Sequence, residues 1–180
     1  FHSTQTANFS TTESLNKGNW MYEISHRFVP SINEGIDALY GIDGPAQIRF
    51  DLAYGITDDL MATFGRSSNN DNYDFQFKQK LVQIESDLLP SVISVLGGFA
   101  INTEVPSNID RSKGDIDNFQ FYGQLIYNSM LLDKKLGIGV VPSYLYNSFI
   151  YSVDKQYSFT IGTYLQYYFN RVWSLWVEHN

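Results

Sequence analysis

The chain of 180 residues has no cysteine, three histidines and five prolines. The missing cysteines exclude disulfides and thiolate metal centres outright, and an oxidising compartment is allowed without being demanded. Three histidines give a transition-metal site few ligands to draw on. Charge is also thin: 12 Lys and Arg against 19 Asp and Glu, a net −7. No basic stripe is present, which argues against nucleic acid or another polyanion as partner. No apolar run reaches the roughly 18–20 residues of a spanning helix. The longest, Leu88 to Ile101, is broken by Pro90, Ser91 and Gly97-Gly98. Helix caps followed by a 3.6-residue period are missing as well. The chain opens on Phe1 rather than methionine, and is read as a mature chain or part of one, its leader removed or not included.

Aromatic residues, by contrast, abound: thirteen tyrosines, thirteen phenylalanines and three tryptophans. Their setting is clearest in Ala46–Arg66, AQIRFDLAYGITDDLMATFGR. Ala46, Ile48, Phe50, Leu52 and Tyr54 share one parity; Gln47, Arg49 and Asp51 share the other. Period two over this length is a strand with two unlike faces. Gly55–Asp59 then reverses the chain, and a second strand carries Leu60, Ala62 and Phe64. The same pattern places strands at 1–10 (weak and polar), 19–29, 46–56, 59–67, 73–84, 91–102, 117–128, 134–146, 156–169 and 172–180. That is about ten strands, many near the 9–11 residues of a tilted membrane strand.

The connections alternate in kind. Short ones are expected at 11–18, 57–59, 85–90, 129–133 and 170–171, and longer polar ones at 30–45, 67–72, 103–116 and 147–155. Outer-membrane barrels sort their connections this way, with short periplasmic turns and longer outer loops. On the parity assigned to lipid, Trp20, Tyr54, Tyr127, Phe169 and Trp173 lie beside the short turns. Phe28, Phe64, Tyr73, Phe75, Phe119, Tyr144, Tyr146, Tyr157 and Phe159 lie beside the long loops. Ile24, Ile48, Phe50, Leu52, Val95, Leu125, Ile138, Val140 and Ile161 fill the band between, so an aliphatic belt carries an aromatic girdle at each rim. The expected fold is therefore all-β, one domain over 1–180: an antiparallel up-and-down transmembrane β-barrel. About ten strands are visible, and about 12 are expected in the full protein, because bacterial barrels start and finish in the periplasm.

The segments WMYEISHRFV (20–29), ALYGIDGPAQIRFDLAYGITDDL (38–60), GRSS with NYDFQFKQKLVQ (65–83), VVPSYLYN (140–147) and YYFNRVWSLWVEHN (167–180) give the chain a family likeness. It resembles a family of uncharacterised outer-membrane β-barrels of unknown function, over nearly its whole length. The resemblance implies a barrel in the outer membrane of a Gram-negative cell, and it brings no activity or site residues. Val29 stands where that family's pattern has glycine after HRF.

On the opposite parity, Glu23, Arg27, Arg49, Asp51, Lys78, Lys80 and Glu178 form a lumen charge network of mixed sign. A selective channel would show a ring of like charge. Mixed signs on neighbouring strands instead predict ion pairs, Glu23–Arg49 or Arg27–Asp51, filling a narrow interior. Ser25-His26 and Glu178-His179 cannot be nucleophile–base dyads, since adjacent strand residues face opposite ways. Aspartates 110, 115 and 117, and separately 71 and 74, read as solvated loop charge, because calcium-loop spacing is missing. Arg66, at the outer rim, is a candidate contact for lipopolysaccharide phosphate.

No catalytic constellation, cofactor or metal is expected. The sequence points to a non-catalytic, structural or partner-binding component of an envelope complex, or alternatively a small porin-like channel. Its partners would be membrane lipids, lipopolysaccharide and other outer-membrane or periplasmic proteins. An outer-membrane enzyme would need an acid, a base and a nucleophile at one rim, and a soluble ligand-binding barrel would need an apolar interior face.

Overall fold

A computed structural model describes residues 3–105, 107, 109–152, 154–170 and 172–180. Nine strands follow in order: β1 (Trp20–Phe28), β2 (Ala46–Gly55), β3 (Leu60–Ser67), β4 (Asn72–Ile84), β5 (Ser91–Asn102), β6 (Phe119–Leu131), β7 (Leu136–Tyr146), β8 (Tyr157–Tyr168) and β9 (Ser174–His179). They make one antiparallel sheet in which each strand pairs with its sequence neighbours, and β1 and β9 are its two edges. Alternation placed all nine; the largest shift is at β6, which ends at Leu131 rather than at 128.

Register carries the alternation across the sheet. Tyr22 faces Leu52, Phe50 faces Arg66, Phe64 faces Phe75, Phe75 faces Phe99, and Tyr144 faces Phe159, all on the outer face. Asp51, Ala53, Met61, Thr63, Asp74, Lys78, Leu96, Ile126, Val141 and Tyr164 occupy the other parity and are buried. A register shift between Lys80 and Val82 puts one extra residue into β4, so Leu81 and Val82 are both exposed.

Side chains close the tight connections. Thr57 Oγ1 accepts from the backbone N–H groups of Asp59 and Leu60 at 3.2 and 3.0 Å. Asn170 Oδ1 accepts from those of Val172 and Trp173 at 2.8 and 2.9 Å. The turn rim comprises 56–59, 85–90, 132–135 and 169–173; the loop rim comprises 29–45, 68–71, 103–118 and 147–156. One expectation changes here. The sequence places the connection after β3 among the longer ones, but β3 and β4 extend the ladder as far as Ser67↔Asn72 and leave only 68–71 to turn.

The larger correction concerns the N-terminal segment. The tenth strand expected at 1–10 is not part of the wall, and residues 1 and 2 lie outside the described residues. Among its described residues the β contact is an isolated bridge between Gln5 and Ser10. Its polar composition offers no apolar face to lipid, and its groups instead find partners on the inner face of the sheet. Residues 11–18, expected as a periplasmic turn, continue the same inner path toward β1. There Gly18 N–H donates to Gly55 O at 2.8 Å.

Candidate functional site

The interior is divided at the waist. Near the loop rim lies a cavity of about 810 Å³, lined among others by Arg27, Arg49, Asp74, Gln120, Tyr122 and Gln124. Near the turn rim lies another of about 740 Å³, bordered by Thr12, Glu13, Lys80, Glu85, Asn128 and Lys134. Between them a small pocket of about 20 Å³ lies among Thr4, Gln5, Ser10, Met61, Lys78 and Leu96, and another of about 660 Å³ lies at the unpaired seam of β1 and β9, beside Ser3, Gln5, Glu23, Trp176 and Glu178. The segment from Ser3 to Thr12 forms the partition.

Three kinds of contact hold it. Phe9 packs with Leu96, Ile126, Val141 and Tyr164 in an apolar cluster, with Tyr122 against it. Burying such a ring contributes about 2–3 kcal/mol. Gly162 and Gly139 make the room: a Cβ on the first would strike the Phe9 ring, and one on the second the Tyr164 ring. Lys78, buried on β4, donates from Nζ to Thr4 O at 2.9 Å and Thr11 O at 3.0 Å, so the plug's own carbonyls solvate an ammonium that the wall buries. Asn128 on β6 joins plug to wall. Its Oδ1 accepts from Thr12 N–H at 2.8 Å and from Thr12 Oγ1 at 3.0 Å, while its Nδ2 donates to Tyr164 Oη at 2.5 Å. At the sheet edges, Gln5 Nε2 donates to Glu23 on β1, and Glu178 on β9 accepts from Ala7 N–H at 2.9 Å and Asn8 Nδ2 at 2.7 Å. The plug thus touches both edges of the sheet.

The lumen charges assemble differently from the expected pairs. Glu23 faces Asp51, Ser25 faces Arg49, and Arg27 faces Gln47, so neither proposed pair lies in register. Arg49 instead bonds to Asp51 on its own strand, Nε–Oδ2 2.8 Å and Nη2–Oδ1 2.6 Å, and reaches across β3 to Asp74 on β4, Nη1–Oδ2 2.5 Å and Nη2–Oδ1 3.0 Å. The strand between supplies Gly65, directly opposite Asp51 on one side and Asp74 on the other. A Cβ there would sit 2.6 Å from Asp74 Oδ2 and 2.7 Å from Asp51 Oδ1. The guanidinium therefore lies over the gap that the glycine leaves. Arg27 donates to Ala7 O at 3.3 Å, and Lys80 meets Asp59 at 3.6 Å near the turn rim. Asp74, read from sequence as solvated loop charge, is a buried wall residue. Its signal was present: it shares the parity of Gln76 and Lys78 in a strand already drawn from residue 73.

The outer face carries the aromatic residues. Trp20 and Tyr54 pack tilted at 4.5 Å between ring centroids on the turn side, Tyr127 bonds Ser91 Oγ at 2.9 Å, and Phe169 and Trp173 are exposed in the last turn. On the loop side Phe28 ends β1. Ring contacts then run Phe64–Tyr73, Phe75–Phe99–Phe119–Phe121–Tyr146 and Tyr144–Tyr157, with Phe159 exposed beside them. Phe77, Phe99 and Phe121 were not singled out from sequence, although they lie on the same parity. Ser25 is half-buried and its neighbour His26 exposed. Arg66 is engaged within the chain: Nη2 donates to Asp71 at 2.7 Å, Nε donates to Tyr73 Oη at 3.1 Å, and the Tyr73 ring centroid lies 5.5 Å from its Cζ.

Above the barrel, the loops at 103–118 and 147–156 lock together. Arg111 Nη1 donates to Ile150 O at 2.5 Å, and Asn147 Nδ2 donates to Asp117 O and Phe119 O at 2.9 and 2.7 Å. Lys155 pairs with Asp117 at 2.5 Å. That hydrogen bond, with the nearby Arg111 charge, holds the Asp117 carboxyl below its ordinary range.

No curated protein and no solved structure matches the chain. A family model does match, over residues 1–180. The chain belongs to the family described as membrane bound beta barrel domain (DUF5777).

Proposed function

We propose that this barrel is a non-catalytic, structural or partner-binding component of an envelope complex, resident in the outer membrane of a Gram-negative bacterium. The observation that carries the reading is the plug: Ser3–Thr12 lies across the interior between two large cavities, held by Lys78, Asn128 and the Phe9 cluster. A conduit needs a continuous wet path, and a platform does not. The polar groups of the interior are also engaged in holding the plug and the wall. Arg49 binds two carboxylates, Lys78 binds two plug carbonyls, and Tyr164 is bonded to Asn128. None of these forms the acid, base and nucleophile convergence that hydrolysis of lipid or peptide would use. Membrane lipids, with lipopolysaccharide at the loop rim, complete the set of partners; there the Arg66 side chain, 40% exposed, would meet a phosphate.

The partner reading is tested by native mass spectrometry on the barrel extracted from its own membrane. A second protein at fixed stoichiometry supports it, and a bare barrel at every detergent strength rejects it. The cavities on either side of the waist favour one second reading, a narrow channel opened when the plug moves. It requires ionic current from the intact protein.

A further inference from the structure

The connection from β1 to β2, residues 29–45, shows a large apolar surface on an ordered loop. Val29, Ile32, Ile36, Leu39, Tyr40 and Ile42 are each between 51% and 69% exposed. An aqueous loop of this length does not normally display six large apolar side chains together. Nor is the segment slack. Ser31 and Glu34 form a reciprocal cap, with Ser31 N–H donating to Glu34 Oε1 at 2.9 Å and Asn33 N–H to Ser31 Oγ at 3.2 Å. The N–H groups of Ile42 and Asp43 both return to Ala38 O at 3.1 Å, and Val29 N–H closes the base on Pro45 O at 2.9 Å. Gly41 and Gly44, at φ 90° and 141°, let the end of the loop press on Pro30, where a Cβ would come within 3.0 and 2.6 Å. Leu39 and Tyr40 are held at φ 43° and 55°, a left-handed conformation that costs a bulky residue free energy and persists only where the surroundings fix it.

We propose that this loop is an interfacial foot, seated in the lipid headgroup and upper acyl region beside β1 and β2. Two observations select lipid as the occupant. The loop's apolar side chains continue an established interface: they begin at Val29, directly after Phe28, the last outward residue of β1, and β2 resumes the outer face after Pro45. The charges of the loop, Glu34, Asp37 and Asp43, include no Lys or Arg. The attachment is therefore by apolar insertion rather than by attraction to anionic headgroups, and the carboxylates take the watery side. The foot would fix how high the barrel's loop-side edge rides in its leaflet.

The lack of cysteine makes the test clean. Ile36→Cys and Asp37→Cys are each labelled with an environment-sensitive nitrobenzoxadiazole dye, and the full chain is reconstituted in phosphatidylcholine vesicles. The expected result is blue-shifted emission from the Ile36→Cys label, quenched severalfold by shallow nitroxide lipids and little by aqueous iodide, with the opposite order at Asp37→Cys. Iodide quenching both labels alike would put the loop in water and overturn the proposal. An Ile36→Cys label shielded from iodide yet untouched by nitroxide lipid would mean that protein covers the loop, and would overturn it equally.

Discussion

Arg49→Met removes the one cation between two buried carboxylates. The Asp51 and Asp74 side chains are only 7% and 5% exposed, and they flank Gly65 on adjacent strands. The guanidinium makes four hydrogen bonds to them, none longer than 3.0 Å. Breaking such a pair from one side costs about 3–5 kcal/mol, chiefly because it strands the remaining charge. Arg49 keeps 30% of its side-chain exposure, so water screens part of the interaction and the low end, roughly 3 kcal/mol, is expected. At about 1.4 kcal/mol per decade, the folding equilibrium falls by roughly a hundredfold. Urea unfolding of the reconstituted barrel, followed by tryptophan emission, measures this directly. Adding Asp51→Asn and Asp74→Asn to the same variant restores most of the loss, since neutral amides no longer repel. An Arg49→Met barrel within about 0.5 kcal/mol of the parent, or no recovery in the triple variant, would refute the reasoning.

Phe9→Ala empties the centre of the interior apolar cluster. The plug loses about 3–4 kcal/mol of docking free energy, while the wall ladders stay intact; hydrogen exchange is expected to speed at residues 3–12 and not in β4–β7. Gly139→Val drives a side chain into the Tyr164 ring and breaks its bond to Asn128. A loss of about 1–3 kcal/mol is expected in heat-modified gel mobility, partly recovered when Tyr164 is also made Ala. Asp117 titrates below its ordinary value of 3.8 because Lys155 and Arg111 favour the carboxylate. Its contribution is therefore present above that pH and is lost as pH falls through the lowered folded value. Limited proteolysis in the loops at 103–118 and 147–156 is expected to rise only in that acid range and to lose its pH dependence in Asp117→Asn.

The wall was legible because a membrane strand states its two faces residue by residue. In AQIRFDLAYG every outward residue is apolar and Arg49 and Asp51 share the inner parity, so the strand, its direction and its neighbours could be drawn. What alternation cannot encode is reach. Arg49 passes over Gly65 to a strand two positions away, and only register shows that the Asp51–Gly65–Asp74 row leaves the gap it occupies. The plug escaped for a related reason. Residues 3–12 are short, polar and without period, so their partners are set by tertiary contact alone. The clue lay on the other side of the contact, in inner-face glycines at 139 and 162 where a packed lumen was already expected. Parity also draws the aromatic girdles, but as drawn they leave out Phe77 together with Phe99 and Phe121, which the ring contacts join to the loop-side girdle.

The N-terminal segment of the chain obstructs its own lumen. Planar-bilayer conductance of the full chain is compared with that of the same chain lacking residues 3–12. The expected result is little steady current from the intact barrel and a severalfold larger ohmic current once those residues are removed, because the two cavities then join through the emptied waist. Equal currents from both proteins would contradict it.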